Sequence, residues 1–188
     1  MRTFKLQVQI TVDGYMGGPN GEMDWTTFPW TDDIEAYTTA LGESVDLIVL
    51  GRKLAEGFIP AWAAGPEGED QESIDWMNNT PKVVISDSLT ESPWDNATVA
   101  GGDLAETVHR LKSEPGGDII TYGGSTLASN LIAKDLLDEL HLFVNPVAIG
   151  AGLPVFPDVG GPRHLRLVNA QSFDCGITVL HYQPKRSD

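Results

Sequence analysis

Apolar and polar residues alternate strictly from Phe4 to Val12. In FKLQVQITV, Phe4, Leu6, Val8, Ile10 and Val12 fall on one face and Lys5, Gln7, Gln9 and Thr11 on the other, the two-residue period of a strand. DLIVLG (46–51), KVVIS (82–86), ATVAG (97–101) and DIITY (118–122) are short apolar runs. Their lack of alternation fits strands buried on both faces. Helical periodicity lies between them. A helix is predicted from Thr31-Asp32, whose side chains suit a cap, through DDIEAYTTAL to Gly42. Another covers 103–113, with Leu104, Val108 and Leu111 on one face, and a third starts at Ser125. Strands alternating with helices predict a largely parallel sheet. After the last helix the pattern changes. ELHLFVNPVAI (139–149), HLRLV (164–168) and GITVLHYQ (176–183) follow one another with turn signals only, which predicts an antiparallel end. The expected fold is α/β, a mixed and mostly parallel sheet with flanking helices and an antiparallel C-terminal strand pair.

The turn-rich stretch DGYMGGPNGEMDW (13–25) predicts a long ordered loop, the kind that often carries function. With 188 residues, 41% hydrophobic content and no Pro/Ser/Gly linker, residues 1–188 are expected to form a single domain. A net charge of -15 argues against nucleic acid or an anionic membrane as partner. PEGEDQESID (66–75) reads as a solvated loop entering a short helix. No apolar run approaches a membrane span, and the N-terminus lacks a signal-peptide pattern, so a cytoplasmic chain is expected. Cys175, the one cysteine, reads as a small core or strand residue. His109, His141, His164 and His181 show no metal-ligand spacing, and no metal is expected.

Two strand-to-helix corners carry candidate chemistry. In DIITYGGSTLASNLI (118–132), Gly123 and Gly124 lack Cβ atoms, so a phosphate could approach the backbone while Ser125 or Thr126 caps the helix. A plain tight turn is the other reading. In LIVLGRKLAEGF, Gly51 precedes Arg52 and Lys53, a planar fork and a point charge that suit a phosphate on an otherwise acidic protein. Here the alternative is two solvated cations.

TVDGYMGGPNGEMDW, LIVLGRKLAEGF, KVVIS, ITYGGSTLASNLI and DELHLFVNPVAIGAGLPVFP together resemble, in this order, the dihydrofolate reductase-like proteins. The branch most similar is the C-terminal reductase domain of bacterial riboflavin-biosynthesis deaminase-reductases. The resemblance covers roughly residues 3–183 and implies an NADPH site across the strand ends. It assigns Gly51, Arg52, Lys53 and Leu54 to the adenosine-phosphate side, with Arg52 on the 2'-phosphate, and Ser86 to the adenine ribose. Gly123, Gly124, Ser125, Thr126 and Leu127 would hold the pyrophosphate, and Tyr122 would lie near the nicotinamide. Val12, Asp13 and Gly14 would border nicotinamide and substrate, and Trp25 would follow the loop over them.

Such a reductase needs a proton source besides the cofactor. Glu35 matches the carboxylate position of the resembled family, Asp24 is a rival, and water could serve instead. The folate-gripping arginine of that family has no counterpart, since none occurs between Arg52 and Arg110. Lys82 could replace it only by pointing into the pocket. The expectation is therefore NADPH-dependent hydride transfer to a small heterocyclic (pterin- or pyrimidine-like) or carbonyl substrate. A non-catalytic dinucleotide-binding module or a structural protein on the same fold is the alternative. The resemblance also implies a homodimer, with 140–149 and 176–183 as candidate contact strands.

Overall fold

The computed structural model describes residues 1–157 and 159–185. The strands are β1 (Phe4–Thr11), β2 (Tyr15–Gly17), β3 (Val45–Gly51), β4 (Lys82–Ile85), β5 (Ala97–Ala100), β6 (Asp118–Thr121), β7 (Glu139–Asn145), β8 (Leu153–Pro154), β9 (Leu165–Ser172) and β10 (Thr178–Pro184). The helices are α1 (Asp32–Gly42), α2 (Arg52–Ala64), α3 (Gln71–Asn79), α4 (Leu104–Ser113) and α5 (Ser125–Ala133). Eight strands form one sheet in the order β5-β4-β3-β6-β1-β7-β10-β9. The first six run parallel, and β10 joins both β7 and β9 antiparallel. The mixed sheet with an antiparallel C-terminal pair is thus observed.

The apolar runs place these strands as their patterns require. In β3, Leu47 and Val49 join the core under α4 and α5, while Ile48 and Leu50 join the opposite core under α1, α2 and α3. β1 sends Phe4, Leu6, Val8 and Ile10 into the first core. Its polar face is not left to solvent. Lys5 is buried there, its Nζ 2.9 Å from both Asp118 Oδ2 and Ser44 Oγ, a paired charge instead of a desolvated one. A third core, Ile34, Phe143, Phe173, Ile177 and Val179, lies between α1 and β7–β10.

Several details differ from the sequence expectations. The 13–25 loop contains β2, which pairs with β8 in a separate two-stranded ladder. Strands of two or three residues are too short to show a period. α2 extends for 13 residues through Pro60, because Ala55 and Ile59 are buried and their packing outweighs the proline's cost. Thr31 stands at the N-cap of α1 without a side-chain cap; its hydroxyl donates to Asp33 Oδ1 at 2.5 Å. Cys175 lies in the turn between β9 and β10, packed against the third core.

The proposed contact strands for a dimer also need correction. β7 is hydrogen-bonded on both sides, by β1 and β10, and β10 by β7 and β9, so neither offers a free edge. That edge belongs to β9, whose residues from Arg166 to Ser172 are exposed on both faces.

Lys82 does not point into a pocket. It is 4% exposed, and its ammonium donates to the carbonyls of Met77 (2.6 Å) and Thr80 (2.7 Å) around the C-terminus of α3. Burial draws its pKa below the ordinary lysine value. Lys82→Met should therefore destabilise the fold by about 1.5–3 kcal/mol, because charge-assisted bonds are lost and two carbonyls are left buried. Urea denaturation measures this, and dinucleotide binding by the folded variant should be unchanged.

Candidate cofactor and substrate site

Because the first six strands are parallel, their carboxyl ends open on one edge of the sheet. β3 and β6 are neighbours there. The helices that follow them leave in opposite directions, α2 toward the core of Ile48 and Leu50, and α5 toward the core of Leu6 and Val49. A crevice between helices that diverge from adjacent strands is where open α/β sheets bind ligands. Both glycine corners lie at it.

The two corners interlock. A Cβ on Gly51 would stand 3.3 Å from Leu127 Cβ, and a Cβ on Gly124 would stand 3.4 Å from Leu54 Cβ. Each helix thus seats a leucine against the glycine of the other corner, which holds the two N-termini together. Gly123 and Gly124 take φ values of +101° and +84°, a region that side chains resist. A Cβ on Gly123 would also meet Met16 Cε at 2.9 Å. These glycines therefore satisfy the tight-turn reading, and they also leave the first N–H groups of α5 without a side-chain cap. Ser125 and Thr126 do not cap the helix as expected, since the N-cap residue is Gly124.

Arg52 and Lys53 open α2 beside this crevice. Arg52 Nη1 lies 2.5 Å from Glu56 Oε1, one turn along the same helix. Both side chains are substantially exposed, so the pair is weak and its guanidinium can exchange partners. Lys53 is exposed. Ser86 follows β4, and its hydroxyl accepts from the N–H of Ser88 (3.2 Å) and Leu89 (3.1 Å), closing a turn. Tyr122 is half-buried with its ring stacked on Phe58 at 5.5 Å, and burial raises its pKa.

The far side of the edge is built by loops. Val12 is 64% exposed at the end of β1. Asp13 accepts from Thr11 Oγ1 (2.6 Å) and from the N–H groups of Gly150 (2.7 Å) and Ile149 (3.3 Å), which hold its pKa below the usual carboxylate range. Gly14 has φ +86° and donates its N–H to Thr11 O at 3.0 Å. Asn145, fully buried at the end of β7, accepts the N–H of Thr27 (2.8 Å) and donates to Gln9 Oε1 (2.8 Å). Trp25 spends its indole N–H on Glu22 O in its own loop, and Asp24 beside it is exposed. Sequence reasoning missed Asn145, because a lone Asn at a strand end carries no motif.

Glu35 is exposed on α1. Its charge acts on Glu69, in the loop before α3. Partial desolvation, then Asp70, then Glu35 raise the Glu69 pKa above the ordinary glutamate value, although its side chain reaches solvent. Desolvation with like charges nearby creates such a group. Glu69 was hidden in the sequence inside an acidic run that reads as a solvated loop.

A mixed sheet of this topology, with its crevice between β3 and β6, defines the dihydrofolate reductase-like class. The chain belongs to the RibD C-terminal domain family, whose sequence pattern matches residues 2–179. It is 34% identical over 185 residues to the uncharacterized protein YyaP of Bacillus subtilis, covering 96% of this chain and 94% of that one. A crystal structure of a candidate riboflavin biosynthesis protein from Shewanella sp. PV-4 superposes with a TM-score of 0.79 at 23% identity, covering 98% and 99% of the two chains. Dihydrofolate reductase of Enterococcus faecalis, crystallised with NADP(H), superposes with a TM-score of 0.61 at 14% identity over 98% and 97%. The family points to a reductase in general terms. No helix among the described residues is long and apolar enough to cross a membrane.

Gly123→Ala should cost about 1–3 kcal/mol, from its positive φ and the Met16 contact. Gly124→Ala, whose new Cβ meets Leu54 only at ordinary contact distance, should cost less. Urea unfolding of both, and of Gly123→Ala combined with Met16→Ala, checks the assignment. The double variant should show part of the glycine effect relieved.

Proposed function

We propose that this chain is an NADPH-dependent reductase that passes a hydride to a small pterin- or pyrimidine-like heterocycle or carbonyl compound. The observation that carries this reading is the pair of interlocked corners, Gly51–Leu127 and Gly124–Leu54, with Arg52 and Lys53 beside them on an acidic protein. Two phosphate-sized demands at adjacent strand ends suit a dinucleotide better than a single anion.

In this reading Arg52 leaves Glu56 to fork the 2'-phosphate, with Lys53 as a second charge. Gly51 and Leu54 line the same side, and Ser86 borders the ribose. The N–H groups of Ser125, Thr126 and Leu127 face the pyrophosphate, for which Gly123 and Gly124 leave the backbone bare. The cofactor, when bound, supplies the hydride. The chain's own part is to orient the acceptor, exclude water and deliver a proton.

Tyr122, braced by Phe58, walls the nicotinamide end, and Val12 and Gly14 border it. Asp13 and Trp25 stand on the substrate side, where Asp13 also fixes the loops. Glu35 is the proposed proton donor. Asp24 is the remaining carboxylate candidate. The commitment of Lys82 to α3 supports a substrate without a carboxylate tail.

Tryptophan fluorescence should report micromolar NADPH binding that weakens by about tenfold or more for NADH and for Arg52→Ala. Absence of binding to either dinucleotide overturns the reading. We also propose a homodimer through β9, supported by an edge that pairs with no other strand among the described residues and by the exposed Leu167 (52%) and Val168 (42%) along it. Analytical ultracentrifugation at micromolar concentration should show a dimer that Leu167→Asp weakens. A wild-type monomer removes the proposal.

A further inference from the structure

At the end of the sheet away from the crevice, topology assembles a group that sequence spacing hides. His141 on β7 and His181 on β10 are cross-strand partners in register, so their side chains leave the same face. Glu139, two residues before His141, shares that face. The two imidazoles stack with ring centroids 4.1 Å apart. Glu139 Oε2 lies 3.1 Å from His141 Nε2 and 3.5 Å from His181 Nε2. One ligand atom from each residue lies within 4.8 Å of the other two.

We propose that Glu139, His141 and His181 bind one zinc-class divalent cation. The two Glu139–imidazole spacings fit, because tetrahedral ligands at bond lengths of about 2.0–2.1 Å stand roughly 3.3 Å apart; the stacked rings would turn to aim both nitrogens at one ion. His181 Nε2 is buried and has no hydrogen-bond partner among the described residues. A proton shared between Glu139 and His141 leaves that nitrogen unsatisfied, whereas a metal would satisfy all three groups at once.

The surroundings also resemble those of a metal ligand set. Tyr37 Oη lies 2.8 Å from His141 Nδ1 and can accept its proton, which leaves Nε2 as the coordinating atom. Gln183 Nε2 donates to the other oxygen of Glu139 at 3.4 Å. The side chains of Glu139 and His181 are 18% and 16% exposed, enough for water to complete the coordination. Lys5 and Arg166 are the opposing charges nearby, though Lys5 is paired with Asp118 and Arg166 donates to Gln183. One carboxylate against two imidazoles selects zinc over magnesium or calcium, which need more oxygen ligands. A bound ion would cross-link β7 to β10, and so anchor the strand pair that carries the β9 edge.

Untagged protein is stripped with EDTA, dialysed, and titrated calorimetrically with ZnCl2 and, separately, MgCl2. The expected result is one zinc per chain with micromolar or tighter affinity, no magnesium heat, and a Tm rise of about 4 °C or more at roughly 100 µM zinc. His181→Asn should weaken zinc binding at least tenfold, while a His109→Gln/His164→Gln protein should bind as wild type. Circular dichroism establishes that the variants are folded, and Glu139→Gln serves in the same comparison where His181→Asn is not. No zinc binding by the wild type, or undiminished binding by the folded ligand variant, overturns the proposal. NADPH titration of the same samples is expected to be unchanged, which separates this site from the reductase reading.

Discussion

The constraint on which the candidate site depends is the close approach of two helix N-termini at adjacent strand ends. α2 and α5 cover opposite faces of the sheet, so they could be joined only where their strands meet. Gly51 and Gly124 permit that, since Gly51 accepts Leu127 where a Cβ would crowd it and Gly124 seats Leu54 at contact distance while holding a positive φ. A larger residue at Gly51 would push the helices apart, and one at Gly124 would strain the turn. The packing of Leu54 and Leu127 is therefore both core formation and site construction.

Charge is distributed with the same polarity. At the amino ends of the strands, Arg2 pairs with Asp46, Lys5 with Asp118 and Lys112 with Asp138, and all three cations are buried. These pairs neutralise one edge of the sheet. At the carboxyl edge, Arg52 and Lys53 stand near uncapped helix N-termini, whose partial positive charge adds to theirs. A chain of net charge -15 thus places two cations, one of them paired with Glu56, beside these helix N-termini.

Much of this was legible in the sequence, for physical reasons that differ from element to element. β1 announced itself by alternation, and β3 and β6 by continuous burial. The glycine corners were visible because positive φ and close approach leave few other residues possible. The direction of a side chain was not legible. Lys82 alternates onto a buried position where α3 carbonyls capture it, and the Thr31 hydroxyl bonds Asp33 and the N–H of Cys175 instead of an N–H of its own helix. β2 and β8 are too short for any period. The Glu139, His141 and His181 group required strand register across 40 residues, which no local spacing encodes. Asn145 acquires its partners Thr27 and Gln9 through tertiary structure, and Glu69 its environment through burial and Glu35 as well as the adjacent Asp70.

The two halves of the crevice differ in how firmly they are held. On the β1–β7 side, Asp13 grips the N–H groups of Ile149 and Gly150, and Asn145 grips the N–H of Thr27, so three loops are fastened to the strand ends by buried or charge-assisted bonds. On the β3–β6 side, Arg52 is restrained, among the described residues, by an exposed pair with Glu56. Exchanging that pair for a phosphate costs little, whereas freeing the loops means leaving polar groups unpaired. An anionic ligand is therefore drawn to the adaptable, positive half. A small neutral acceptor would meet the preformed half, beside the Asp13 carboxylate that repels a second anion. Under the proposed function, this asymmetry would orient a charged cofactor and an uncharged substrate oppositely before any contact between them.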